Sequence, residues 1–152
     1  MKARIVIGAL TLSASALVGI AVHEGYRGEA YIPVKGDRPT LGYGTTDGVK
    51  LGDTIEPVQA LVRKLQDVQR FEGALRQCVR VPLHQHEYDA FLSLAYNIGP
   101  GAFCSSTLVR RLNAGDYAGA CAEILRWDRF RGEPLRGLTL RRQAENRQCL
   151  GQ

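Results

Sequence analysis

The chain has 152 residues, 45% hydrophobic and 23% charged, a size and balance that fit one folded domain with a real core and argue against disorder. Its net charge of +5 comes largely from arginines in the second half: Arg110, Arg111, Arg126, Arg129, Arg131, Arg136, Arg141, Arg142 and Arg147. Such a surface favours nucleic acid, anionic lipid or an anionic cell envelope, although most of these side chains are expected on solvated helix faces. The sequence has no RNP-like aromatic pattern, zinc-finger spacing or DNA-reading helix, which removes nucleic acid as an expected partner.

The N-terminus, "MKARIVIGALTLSASALVGIAV", places Lys2 and Arg4 before an uncharged run from Ile5 to Val22. As one helix that run would span about 27 Å, barely a bilayer core. Its many Gly, Ala, Ser and Thr residues make it weakly apolar, so insertion would be marginal. Three readings compete: a signal peptide cleaved after Ala14-Ser15-Ala16, a permanent anchor, or a segment that inserts, tethers the protein and later leaves. Lys2 and Arg4 would hold the start in the cytoplasm and place everything after Val22 outside. Glu24 favours release over permanent anchoring, because an inserted segment would keep this carboxylate at the membrane interface. The expected division is therefore 1–22 as an export segment and 23–152 as the functional domain.

From Ala30 to Thr46 the pattern predicts short strands broken by Gly/Pro turns, a small solvent-facing sheet. Asp53 or Thr54 is then placed to cap a helix with Pro57 in its first turn, and apolar spacing from Val58 to Leu75 carries that helix to about Cys78. A second helix is expected from His86 to Ile98, ended by Gly99-Pro100-Gly101. Two short helices come next, Ser106 to Asn113 and Asp116 to Trp127. Then come a loop from Arg129 to Gly137 and a last helix from Leu138 to Leu150. The fold class is α+β, mainly helical: a small N-terminal β-hairpin lobe packed beside a helical lobe, with a cleft between as the natural substrate site.

Four cysteines, Cys78, Cys104, Cys121 and Cys149, lack any C-x-x-C spacing, which argues against zinc and a thioredoxin-like site. With an export-like N-terminus they predict two disulfides, for which three connectivities exist. His84 and His86 do not have the spacing of H-E-x-x-H and read as a helix start. Ser105 and Ser106 lack a nucleophile elbow and read as caps. Gly42-x-Gly44 does not lead into the G-K-S/T of a phosphate loop. Glu24, at the end of a predicted helix, reads from spacing alone either as a solvated helix-end glutamate or as a proton donor for glycoside cleavage, and a turn aspartate such as Asp37 is by itself usually structural. Thr40, Thr45 and Thr46 offer hydroxyls that could hold a water.

"HEGYRGEAY" and "TLGYGTT" resemble the N-terminal catalytic block of phage-type lysozymes, the muramidase endolysins. "YDAFLSLAYNIGPGAF" is similar to their central helix and "GLTLRRQAENRQCL" to their C-terminal helix. The likeness runs from about Val22 to Leu150. It implies a lysozyme-like fold and an inverting muramidase that acts without metal or cofactor, with Glu24 as acid. The position of the family's aspartate holds Pro33 here; Asp37, thirteen residues after Glu24, is expected to take that role, with Thr40 assisting. Tyr31, Tyr43 and Asn97 are expected substrate contacts. The weakly apolar start resembles signal-arrest-release segments, which implies export by the host Sec machinery, tethering to the inner membrane facing the periplasm, and release as a soluble monomer. Two alternatives remain: a lytic transglycosylase using Glu24 alone, and a non-catalytic peptidoglycan-binding accessory. The expected disulfides are Cys78 with Cys149, tying the last helix to the body, and Cys104 with Cys121, clipping two short helices together.

Overall fold

The helical spacing after Pro57 is realised as an unbroken 22-residue helix in the computed structural model, which describes residues 2–152. In chain order the elements are α1 (Ala14–Glu24), β1 (Arg27–Tyr31), β2 (Thr40–Gly42), α2 (Pro57–Cys78), α3 (Gln85–Ile98), α4 (Pro100–Cys104), α5 (Thr107–Asn113), α6 (Tyr117–Glu123), β3 (Arg129–Phe130), β4 (Glu133–Pro134) and α7 (Arg136–Cys149). Single 3-10 turns lie at Ile7–Ala9 and Ile124–Arg126. The fold is mainly helical with a small antiparallel sheet, as the sequence predicts. Contacts divide the chain into two compact units, Leu17–Gln69 and the chain before Leu17 together with Arg70–Gln152.

Within Leu17–Gln69, β1 pairs with β2 between Arg27 and Gly42 and between Tyr31 and Thr40. The register shifts between those two pairs, because five residues of β1 face three of β2. Ile20, Ala21, Leu41, Val49, Ala60 and Val68 supply the buried apolar surface. Because α2 begins at Pro57, neither Asp53 nor Thr54 caps it as expected. The Asp53 carboxylate accepts the Lys50 N–H at 2.9 Å and closes the preceding turn, while Pro57 takes its expected place at the first helical position.

The other unit is organised around α3, on which nine consecutive residues, Glu87 to Ala95, are buried. Leu75, Leu83, Phe91, Phe103, Leu108 and Ile124 complete its core. Burying each such side chain contributes about 1.5–3 kcal/mol, so this helix is the main source of cohesion. Gly99, at φ +91°, stops α3, but Pro100 then opens the short α4, which the sequence does not predict because Gly-Pro-Gly reads as a stop. Arg141 and Arg142 depart from the expected solvated face: both are buried and share Glu145, with Arg142 Nε 2.8 Å and Arg141 Nε 3.2 Å from its carboxylate. Ser93 adds a hydroxyl donor to Glu145 at 2.7 Å. The reason is that α7 turns this face onto α3.

The cysteines pair as Cys78–Cys104 and Cys121–Cys149, which corrects the expected connectivity. The unforeseen α4 carries Cys104 back to the end of α2, where its sulfur also lies 3.6 Å from the Ala74 carbonyl. Cys121 instead faces α7, whose Asn146 donates to the Cys121 carbonyl at 2.8 Å. The Cα–Cα separations of 5.5 and 5.7 Å suit both bridges.

The apolar N-terminal run is not one helix here, and no described helix is long and apolar enough to cross a membrane. Ile5 pairs with Leu83 as an isolated bridge, and three buried carboxylates, Glu72, Glu87 and Asp89, hold the chain on either side of it. Arg4 donates to both oxygens of Glu87 and lies 3.5 Å over the Tyr117 ring. Glu72 accepts from the Leu12 N–H at 2.7 Å and from the fully buried Tyr88 hydroxyl at 2.8 Å. Asp89 accepts from the Ser13 N–H and from its hydroxyl, whose oxygen in turn caps Ala16 at the start of α1. Burial alone would push the Glu87 carboxyl up, but hydrogen bonds from Arg4 and the His84 N–H, with the charge of Arg4, pull it below its ordinary value. A depressed carboxyl contributes stability above its unfolded pKa and loses it as pH falls through the folded one. We therefore expect amide exchange around Ile5 to be slow at neutral pH and to be accelerated, relative to the intrinsic rate, below about pH 4. Glu87→Gln should show the acceleration already at neutral pH.

Candidate active site

Helix α1 ends on Glu24, and Gly25, at φ +71°, turns the chain out of the helix toward β1. Glu24 is exposed, and its side chain lies against Gly44: a Cβ built on that glycine would meet Glu24 Oε2 at 3.0 Å and its Cβ and Cδ at 3.6 Å. Gly44 has φ +80°, so both its backbone conformation and its lack of a side chain are required. In the sequence "LGYG" carries resemblance alone and does not disclose this contact. Its only sequence signal is the pair of glycines two apart.

Several bonds hold that turn. Leu41 and Thr45 exchange backbone hydrogen bonds at 2.9 and 3.0 Å, and the buried Thr45 hydroxyl donates to Asp67 on α2. Gly42, at φ +63°, lets the turn press on α2, since its Cβ would come within 2.8 Å of the Ala60 Cβ. The two glycines thus place backbone against α2 and against a carboxylate.

The other residues expected at the site have varied surroundings. Thr40 is buried on β2, opposite Tyr31, with its hydroxyl donating to the Arg38 carbonyl at 3.3 Å. Asp37 is exposed in the turn closed by its own N–H on the Val34 carbonyl, and its Oδ1 accepts the Arg38 N–H at 2.8 Å. Tyr43 packs on Tyr26 with ring centres 5.4 Å apart, and the Tyr26 hydroxyl is anchored on the Ile55 carbonyl. Tyr31 is exposed under the Arg27 guanidinium. Asn97 belongs to the other unit, exposed on the last turn of α3. His84 and His86 stand at the start of α3 with rings stacked 5.2 Å apart, consistent with a helix start.

A mainly helical chain with a small antiparallel sheet, whose helix-end carboxylate is held against a glycine turn, has a lysozyme-like fold. Residues 21–145 match the phage lysozyme family, and the chain belongs to it. It is 43% identical over 138 residues to an endolysin of Acyrthosiphon pisum secondary endosymbiont phage 1, covering 88% of this chain and 94% of that one. It is 37% identical over 141 residues to the SAR-endolysin of Pseudomonas phage phiKMV, covering 90% and 87%. Among solved structures, the endolysin from Escherichia coli O157:H7 phage FAHEc1 superimposes with a TM-score of 0.84 at 37% identity, over 94% of this chain and 95% of that one. The chain is accordingly a glycoside hydrolase of the lysozyme type with a peptidoglycan-lytic role.

Gly44→Ala tests the contact on Glu24. A methyl at 3.0 Å from Oε2 makes the carboxylate give by a few tenths of an ångström, and at φ +80° an alanine also strains the turn itself. We expect wall-clearing activity to fall and the melting temperature to drop by a few degrees, from about 1–2 kcal/mol of left-handed strain, while the protein stays folded by circular dichroism.

Proposed function

We propose that the chain is a muramidase endolysin that hydrolyses the β-1,4 bond between N-acetylmuramic acid and N-acetylglucosamine in peptidoglycan during phage-induced host lysis. The observation that carries this reading is the seat of Glu24 against Gly44, at the end of a helix and within the family's matched region. In the proposed reaction Glu24 protonates the leaving glycosidic oxygen, Asp37 positions or activates the attacking water, and Thr40 assists. Tyr31, Tyr43 and Asn97 contact the glycan.

One observation favours a second reading. Asp37 Oδ1 already accepts the Arg38 N–H, an arrangement that serves its own turn. A lytic transglycosylase would need Glu24 alone, as acid and then base, with the substrate N-acetyl group attacking. Mass spectrometry of digested peptidoglycan separates the two. Reducing muramic acid ends that are lost in both Glu24→Gln and Asp37→Asn support the hydrolase, and anhydro ends that survive Asp37→Asn support the transglycosylase. Intact wall with bound, folded protein would replace both with a binding role.

The proposed route to the wall is Sec export, tethering to the inner membrane through residues 1–22, and release as a soluble periplasmic enzyme that acts as a monomer. It is supported by likeness to a protein named SAR-endolysin and by the polar docking of Arg4, Leu12 and Ser13, which offers the weakly apolar segment a second seat outside lipid. N-terminal sequencing of the exported soluble protein decides it. A chain starting at Met1 or Lys2 supports release, and a new start near Leu17 means cleavage.

A further inference from the structure

The segment from Arg126 to Arg136 carries four arginines against two acids and forms a hairpin whose strands β3 and β4 pair through Arg129 with Pro134 and Phe130 with Glu133. The sequence predicts only a loop here. Its base is fixed to the body: the Leu135 N–H donates to the Asp128 carbonyl at 2.9 Å, and the Thr139 hydroxyl donates to Asp128 Oδ2 at 3.2 Å. One acid is thereby turned toward α7. At the tip, Phe130 is 60% exposed with the Arg131 guanidinium 5.3 Å over its ring, and Leu135, at the base, is 50% exposed.

The tip itself is locally unfavourable. Arg131 has φ +52° and Gly132 φ +86°, the mirror-image two-residue turn that Asn-Gly fills best. Arg131 is the only described residue other than glycine in that region. Arginine gains nothing conformationally there; its guanidinium lies over the exposed Phe130 ring, while Arg129 donates to the Gly132 carbonyl at 2.9 Å and helps close the same turn.

We infer that this hairpin is a second membrane-contact surface, in which Arg129 and Arg131 engage lipid phosphates while Phe130 and Leu135 enter the interfacial layer of an anionic bilayer. Paired guanidinium and aromatic side chains are suited to that boundary, where one end meets charge and the other an apolar phase. A glycan with short acidic peptides could satisfy the arginines but offers no phase for Phe130 and Leu135. Anionic lipid satisfies both. The surface shares no residue with the N-terminal segment or with the turn that holds Glu24, and it would keep a released enzyme close to a membrane face.

The test is co-sedimentation of the full-length protein with vesicles of phosphatidylglycerol and phosphatidylethanolamine, compared with neutral phosphatidylcholine. Each arginine near an anionic surface is worth about a fivefold change in partitioning. Arg129→Gln with Arg131→Asn should therefore weaken binding by about 25-fold, and Phe130→Ser by a further several-fold. Arg131→Asn alone is the discriminating variant: it should leave melting temperature unchanged or raised while lowering vesicle binding, which a purely structural turn residue would not do. Arg110→Gln, an exposed arginine on α5, should stay within twofold of wild type. Equal binding to neutral and anionic vesicles, or no change in the hairpin variants, would overturn the inference. So would loss of binding to purified sacculi with vesicle binding intact, which would assign the hairpin to the wall polymer.

Discussion

Glu24→Gln should leave a folded protein whose rate of wall solubilisation is lower by on the order of 1,000-fold, the middle of the range for removing a general acid. The substitution keeps the volume that lies against Gly44, so the turn and the end of α1 are not disturbed. In the proposed reaction, what is lost is the proton that the leaving sugar oxygen must receive. Turbidity clearance of chloroform-treated cells gives the rate, and the melting temperature of the variant checks the fold. A variant that retains more than about a tenth of wild-type activity would remove Glu24 from the role of acid and end both the hydrolase and the transglycosylase readings. The contrast with Asp37→Asn is informative because Asp37 already serves its own turn through the Arg38 N–H.

The second large effect is on stability. Replacing Cys121 and Cys149 together by Ala opens a loop with a sequence separation of 28 residues. The chain-entropy estimate for such a loop is about 3.5 kcal/mol. Both cysteines are 1% exposed, so truncation also leaves unfilled space between α6 and α7. For a chain of this length the loss should lower the melting temperature by on the order of 10 °C. Thiol reductant, which opens both bridges, should lower the wild-type melting temperature by at least this much and have little further effect in a variant lacking all four cysteines. Specific activity at 20 °C, measured on the folded fraction, should stay close to wild type, because all four cysteines lie outside the unit that holds Glu24 and its turn. A variant lacking only Cys78 and Cys104 allows the two contributions to be compared.

The docked N-terminal segment gives a physical meaning to the marginal hydrophobicity of residues 5–22. A strongly apolar run would bind lipid irreversibly, and a polar one would not insert. Here backbone N–H groups at Leu12 and Ser13, which a membrane helix would satisfy internally, are received by Glu72 and Asp89. Arg4, which the sequence presents as an orientation signal, is received by Glu87 and Tyr117. In this docked state the charge of Arg4 and the N–H groups of Leu12 and Ser13 therefore have protein partners.

Sequence alone determined whatever depends on neighbours along the chain. Helical periodicity set α2, α3 and α5 to within a residue or two, Gly99 marked a helix end, and Glu24 stood out as the carboxylate closing an apolar run. Ordered motifs with their spacing were enough to show the family. Tertiary structure decided what depends on which surfaces meet. It paired Cys104 with Cys78 because α4 folds back on α2, and it buried Arg141 and Arg142 because α7 turns them onto α3. It also split an apolar run that reads as one helix into a bridge, a 3-10 turn and α1, since buried carboxylates receive N–H groups that a continued helix would satisfy internally. The glycine in contact with Glu24 belongs to the same class. A glycine's need for φ above zero can be guessed from a turn, but the group that occupies the space of its missing side chain is brought there by the fold.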